Sequence, residues 1–401
     1  MVKISEKLNI IKTSKDNIKT AIETDGVEVG NAGIQEYADK INIMNTNIAN
    51  AYTAIEEKGI LFTGSKNSEN LASTISAIKT GGTSAAPAVE KGIIIEEHSE
   101  YGNPTKIKLV NLPTIPTYAF STNSTSMKPY VGAYLKYVTI EGETTSIGNY
   151  AFSYNTSLLS VILPNTITSI GNYAFASCSA LESLNIPSNL ITLGDYALDG
   201  CSKISITSLP DTIETIGTRG LSSCKLLDLN KLPDSLTSMG NYAFMSSGLK
   251  TISLTKAYTT VGDYLFQKCN SLKTAYIGGA FGKLTKYFFE SCTALTDVTL
   301  DEGITEIGER ALYKCTALTE LDIPSTVTKI GTYAFAYITC TNVICRAVTP
   351  PTAAANILYS SSITSNTGYI YVPDDSVDAY KAATNWSAYA ARIKPLSELE
   401  G

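Results

Sequence analysis

The sequence predicts an α+β chain whose larger part is a solenoid of stacked parallel repeats, and three observations carry that prediction. A glycine returns at Gly148, Gly171, Gly194, Gly217, Gly240, Gly262, Gly308 and Gly331, 23 residues apart, with one step of 22 and with Thr285 in the place of one glycine. An alanine–phenylalanine pair recurs in phase with it at Ala151-Phe152, Ala174-Phe175, Ala243-Phe244 and Ala334-Phe335. Between these, apolar residues such as Leu181, Leu184 and Ile186 form a short extended run closed by Pro187. Proline ends such a run because it has no N–H for the next ladder bond.

A period between about 20 and 50 residues marks a solenoid, and 23 falls in the leucine-rich-repeat window. About nine copies, each with one short parallel strand, are expected between residues 147 and 345. No copy can bury its apolar face alone, so its neighbours must supply the cover. At about 4.8 Å per stacked strand, nine copies make a rod on the order of 40 Å long. Within a copy, Ile170 is an inward anchor, Gly171 permits a tight turn, and Ala174 and Phe175 point back to the axis. Two copies shift the apolar spacing, at Ile204, Ile206 and Leu209 and at Leu227, Leu229 and Leu232, and leave the strand register there open.

Residues 170 to 187, read as I-G-x-Y-A-F-x-x-C-x-x-L-x-x-L-x-I-P, and again residues 330 to 335, resemble the BspA-like (Treponema-type) leucine-rich-repeat family over about half of the chain. The family's members are mostly bacterial, protozoan or phage-borne surface-binding proteins. The resemblance therefore implies the solenoid fold, and binding in place of catalysis.

Six cysteines, Cys178, Cys201, Cys224, Cys269, Cys292 and Cys315, hold one place in the repeat and should stack as a ladder. Metal or disulfide chemistry would want clustered pairs such as C-x-x-C, and none is present. Buried free thiols acting as small hydrophobes are the expectation, and they fit a reducing compartment. Cys340 and Cys345 fall outside the ladder, and their spacing assigns them no role.

Residues 1 to 80 read as a separate helical anchoring or oligomerisation module. Tyr37, Ile41, Met44, Ile48, Ala51 and Ile55 follow the spacing of a coiled-coil seam. A homo-oligomer such as a trimer, and an amphipathic helix packed within its own small domain, stand as alternatives. Glu56-Glu57-Lys58-Gly59 and Gly64-Ser65-Lys66-Asn67-Ser68-Glu69-Asn70-Leu71-Ala72 resemble the opening region of bacteriophage tail and virion structural proteins. The N-terminus also lacks the apolar core of a secretion signal, which suits a virion protein made in the host cytoplasm and freed by lysis. Residues 81 to 91 form a small-residue linker. Residues 92 to 146 form an N-terminal cap with a degenerate first repeat at Tyr118-Ala119-Phe120 and a Ser/Thr/Asn-rich excursion at 121 to 127.

The repeat period breaks at Thr349-Pro350-Pro351, and residues 346 to 401 read as a C-terminal cap. A strand at Tyr369-Ile370-Tyr371-Val372 ends at Pro373, and Asp374 to Ser376 cap a helix carrying Val377, Tyr380, Trp386, Tyr389 and Ile393. Trp386 belongs to the core of that cap.

The chain of 401 residues carries a net charge of −6, which argues against nucleic acid as a partner. No apolar run approaches membrane-spanning length. His98 is the one histidine, which excludes a Ser-His-Asp or Cys-His arrangement within the repeats. Gly278-Gly279-Ala280-Phe281-Gly282 lacks the lysine and helix of a phosphate loop. The expectation is no enzyme, no cofactor and no metal.

What remains is surface. Thr251 and Ser253, Thr274 and Tyr276, Asp297 and Thr299, and Glu320 and Asp322 should face outward and make a contiguous polar strip that turns acidic toward the C-terminal end. Tyr150, Tyr173, Tyr196, Tyr242, Tyr264, Tyr287 and Tyr333 form a second row, read either as part of the stacking or as a contact surface for glycan or protein. The leading expectation is a virion component of tail-fibre or baseplate type. It would bind other virion proteins through residues 1 to 80 and a bacterial cell-surface glycan or protein through the rod. The alternatives are a bacterial surface adhesion protein and a structural virion part without ligand.

Overall fold

The computed structural model of the chain describes residues 92–99, 104–122, 134–229 and 231–399, all within the compact unit Lys91–Gly401. The N-terminal module, its seam from Tyr37 to Ile55, the linker and residues 123–127 of the excursion lie outside the described residues.

Each turn of the solenoid carries two short strands where the sequence suggests one. The first ladder is built of two-residue strands, from Thr114–Ile115 and Ser146–Ile147 through Ser169–Ile170 to Thr352–Ala353. It has eleven rungs in sheets of seven and four strands, against about nine copies expected. At about 4.8 Å per rung the ladder runs on the order of 50 Å. The inner member of each described rung is apolar, and Ile147, Ile170, Leu193, Ile216 and Met239 stand in parallel register. Two residues are too few to show a period of two, so Ile170 reads from sequence only as an anchor. The extra rungs lie in the caps, and the first step, from Ile115 to Ile147, is lengthened by the excursion.

The second ladder contains the runs that end at proline. Its strands fall into sheets of five, two, three and four. All pair in parallel except Gly92–His98, which lies antiparallel on Pro104–Val110 and closes the N-terminal end. The register left open by sequence is resolved: Ser205–Ile206 pairs with Leu226–Leu227, Ile206 opposite Leu227. That step is shorter than the repeat period, and the pair forms a sheet of its own. Ile204, Leu209, Leu229 and Leu232 are nevertheless buried. The chain keeps its apolar side chains inside and gives up ladder bonds to do so.

Glycine at position 171 serves close approach, not the turn conformation. A Cβ there would lie 2.6 Å from Asn149 Oδ1 and 2.8 Å from Asn149 N in the preceding turn. The left-handed residue is Tyr173, with φ of 56°, as are Tyr150 and Tyr196 at 56° and 54°. The residue after the glycine ties the turns together. Asn149 Oδ1 accepts from Asn172 N at 2.8 Å, Asn172 Oδ1 from Asp195 N at 2.9 Å, and Asp195 Oδ1 from Thr218 N at 2.7 Å.

The core stacks as the repeat requires. Phe120, Phe152 and Phe175 lie ring on ring at 5.2 and 5.1 Å. The six cysteines are free and buried. Each thiol donates to a carbonyl of the turn before: Cys178 and Cys201 to Phe152 and Phe175 at 3.1 Å, Cys292 and Cys315 to Phe266 and Phe289 at 3.1 and 3.2 Å. Asn155 and Ser247 take this place in two turns, Asn155 Nδ2 donating to Phe120 O at 2.7 Å and Ser247 Oγ lying 3.4 Å from Cys269 Sγ. The two cysteines outside the ladder are core as well. Cys340 donates to Leu318 O at 3.2 Å, and Cys345 lies 3.2 Å from the Tyr380 hydroxyl. Burial pushes their thiols up to about 12 and about 11.

The C-terminal cap differs from expectation in its helix. The α-helix covers only Val377–Ala382, preceded by a 3-10 turn at Asp374–Ser376, and no side chain caps it. Asp374 instead accepts from Ser397 N at 3.1 Å, which holds its carboxyl below the usual range. Trp386 precedes a 3-10 segment, Ser387–Arg392, that includes Tyr389, and Ile393 opens the last strand. Trp386 is 1% exposed and donates from Nε1 to Pro351 O at 2.8 Å, so it is core as expected.

Candidate interaction surface

Alternation along the second ladder decides which side chains reach solvent. In the sheet of Thr251–Leu254, Thr274–Ile277 and Asp297–Leu300, the residues Ile252, Leu254, Ala275, Ile277 and Leu300 are buried. Their neighbours point out in register: Thr251, Thr274 and Asp297 in one row, Ser253, Tyr276 and Thr299 in the next. All six are exposed, as is Glu320, while Asp322 is half-buried. The strip is not one sheet. Glu320 and Asp322 sit on Glu320–Ile323, which pairs onward with Asn342–Cys345 in a separate four-stranded sheet.

The acidic end is also less open than its sequence suggests. Arg346, one turn beyond Asp322, donates to both of its carboxylate oxygens, Nε at 2.8 and 3.0 Å and Nη2 at 2.7 Å. The Tyr276 hydroxyl donates to the Asp301 carboxylate, and that hydrogen bond raises the phenol above its ordinary range. Asp297 accepts from Thr296 Oγ1 at 2.6 Å. Glu302 accepts from Ser325 N, Ser325 Oγ and Thr326 N at 2.9, 2.9 and 3.1 Å, and these bonds hold its carboxyl below the usual range.

The tyrosine row is a stack. Tyr118, Tyr150, Tyr173 and Tyr196 lie at centroid distances of 4.7, 4.7 and 4.4 Å, and Tyr242, Tyr264 and Tyr287 at 4.3 and 4.2 Å. Arginine fills the two gaps. Arg219 lies 5.7 Å from the Tyr196 ring and 4.9 Å from Tyr242, and Arg310 lies 5.5 Å from both Tyr287 and Tyr333. Neither arginine was singled out from sequence, although each stands one repeat period after a tyrosine of the row. Because the ring faces cover one another, this row presents edges to solvent and is explained by stacking.

Among the described residues, no group of three or more His, Cys, Asp and Glu side chains could hold a metal ion. No helix among them is long and apolar enough to cross a membrane.

A family model described as BspA type leucine-rich repeat region, in six copies, matches residues 114–231 and 227–343. A comparison with curated proteins returns no match. Among solved structures, the chain is similar to a leucine-rich repeat protein from Bacteroides ovatus, 20% identical, covering 76% of this chain and 98% of that one, with a TM-score of 0.46. It is similar to a leucine rich cell surface protein from Faecalibacterium prausnitzii, 20% identical, covering 78% and 96%, with a TM-score of 0.36. It is similar also to the T. pallidum leucine-rich repeat protein, 18% identical, covering 63% and 89%, with a TM-score of 0.33.

Proposed function

The chain belongs to the BspA-type leucine-rich-repeat family, and from that premise we propose that it is a non-enzymatic adhesion or protein-interaction scaffold acting at a cell surface. The observation that carries the reading is the in-register exposed face at Thr251, Thr274 and Asp297 and at Ser253, Tyr276 and Thr299. The alternate residues of those strands make the core, so the outward side chains are not needed to fill it. Extended repeat faces of this kind bind macromolecular partners.

The test uses the full chain, fluorescently labelled, on whole bacterial and epithelial cells before and after protease treatment. Saturable, protease-sensitive binding that weakens about tenfold or more in Tyr276→Ala with Asp297→Lys is the expected result. Absence of saturable binding to any cell overturns the reading.

A tail-fibre or baseplate role is the finer alternative. It rests on the resemblance carried by residues 56–59 and 64–72, which precede the family match. Removing residues 1 to 80 should then abolish incorporation into particles, and particles that still contain the truncated chain would exclude it.

A further inference from the structure

Three tyrosines near the C-terminal end of the solenoid stand outside the stacked row. Tyr313 and Tyr359 occupy the place held by Ser153, Ala176, Ser222 and Ala336 in other turns. Tyr337, with φ of 62°, occupies the left-handed position held by Ser177, Ser223, Ser246 and Ser291. Nothing in the repeat requires an aromatic ring at either place. The rings meet edge to face: Tyr313 and Tyr337 at 5.2 Å and 75°, Tyr337 and Tyr359 at 5.7 Å and 69°. Tyr359 also meets Tyr333 of the row edge to face, at 5.8 Å and 85°, and it remains 46% exposed.

Lys314 adds a charge. Its Nζ lies 5.3 Å from the Tyr313 ring and 5.4 Å from the Tyr337 ring, and it makes no ion pair among the described residues. Beside it is an open depression of about 390 Å³ lined by Lys314, Tyr337 and a run of serine and threonine side chains. Several of the hydroxyls there donate to backbone carbonyls. Thr339 Oγ1 donates to Thr316 O at 2.8 Å, Ser361 Oγ to Leu358 O at 2.6 Å, Ser365 Oγ to Ser361 O at 3.1 Å, and Thr367 Oγ1 to Ser362 O at 3.2 Å. Ser361 is buried, but Thr339, Ser365 and Thr367 are exposed, and a hydroxyl that has given its proton to a carbonyl keeps its lone pairs, so these three oxygens can accept from a ligand.

A ligand that fits must therefore bring several O–H donors, an apolar C–H face for a tyrosine ring, and a negative group for the ammonium. A pyranose ring carrying a carboxylate has all three. We propose that Tyr337, Tyr359 and Lys314, with the hydroxyl-lined depression, form a binding site for acidic saccharides of the uronic-acid type. The site lies outside the strand face invoked above and adds a ligand class to the scaffold.

The experiment titrates the full chain with a galacturonic acid tetrasaccharide and with the neutral galactose tetrasaccharide, by calorimetry and saturation-transfer NMR. Tyr337→Ser, Tyr359→Ser and Lys314→Ser each install a residue that other turns already carry at that place, so the solenoid should hold, and the melting temperature checks it. The expected result is saturable binding of the acidic saccharide, weakened about tenfold or more by Tyr337→Ser or Tyr359→Ser. Lys314→Ser should abolish the preference for the acidic over the neutral saccharide. No saturable binding of the acidic saccharide, or equal binding by folded Tyr337→Ser and Tyr359→Ser, overturns the site. Wild-type binding of the neutral saccharide at least as tightly overturns the role given to Lys314. Tyr276→Ala with Asp297→Lys should leave these titrations unchanged, which keeps failure of the strand-face reading distinct from failure of this one.

Discussion

Replacing Phe175 by alanine tests whether the rod is held together turn by turn. The Phe175 ring is fully buried and stacks on Phe152 at 5.1 Å with 3° between planes, while the next turn offers Leu198 in its place. Removing the ring leaves a void between two turns and costs about 3–5 kcal/mol, with the lost stack favouring the upper end. The backbone bonds are untouched, because Cys178 N and Cys201 Sγ donate to the Phe175 carbonyl and not to its ring. In a solenoid each turn depends on its neighbours, so the damage should stay local. Native-state hydrogen exchange read by mass spectrometry should show amides of residues 152–204 exchanging roughly a hundredfold to several thousandfold faster. The rungs at Glu306–Ile307 and Lys329–Ile330 should keep their protection. Equal acceleration along residues 134–399 would refute the nearest-neighbour account. Acceleration of less than about tenfold around Phe152 and Cys178 would refute the packing estimate.

Two further perturbations read other parts of the turn. Arg219→Ala removes the cation between Tyr196 and Tyr242 and should cost about 1–2 kcal/mol in thermal unfolding; Arg219→Tyr should recover most of it, since φ of 53° at this position matches the tyrosines on either side. Greater loss in Arg219→Tyr than in Arg219→Ala would show that the gap needs a cation. The Glu302 carboxyl is held below its ordinary 4.5 chiefly by the Ser325 N–H, so its stabilising contribution is present above that pH and is lost as pH falls through the lowered value. Glu302→Gln should accordingly be less stable than wild type at pH 7, and the difference should shrink at about pH 3. A constant difference across that range would remove Glu302 from the acid response.

The repeat could be read from the chain because each core position recurs at one spacing. The cysteine, phenylalanine and tyrosine ladders are all the same contact made again one turn later. Arg219 and Arg310 could have been read by the same rule, one period on from Tyr196 and Tyr287, because a guanidinium can take the place of a ring in a stack. The Asn149, Asn172 and Asp195 ladder was equally within reach. Which residues of the strip face out follows from alternation along a strand. Its electrostatics do not, because the partner of Asp322 is Arg346, in the next turn, and pairing depends on geometry that spacing alone does not give. The capping role assigned to Asp374 failed for the same reason: its acceptor capacity is used by Ser397 N, beyond the last strand.

By itself, then, the sequence determined the solenoid, its period and the identity of its core, because stacking repeats the same short-range demand at every turn. Only the tertiary structure decided that each turn has two strands, that glycine at 171 answers to the approach of Asn149 and not to a left-handed φ, and that Ile206 lies opposite Leu227. It alone set Lys314 and Tyr337 at the rim of one hydroxyl-lined depression, with Tyr313 and Tyr359 packed edge to face on Tyr337. Those are matters of how neighbouring turns approach in space, and where a turn departs from the repeat, contact between side chains follows from packing and not from period.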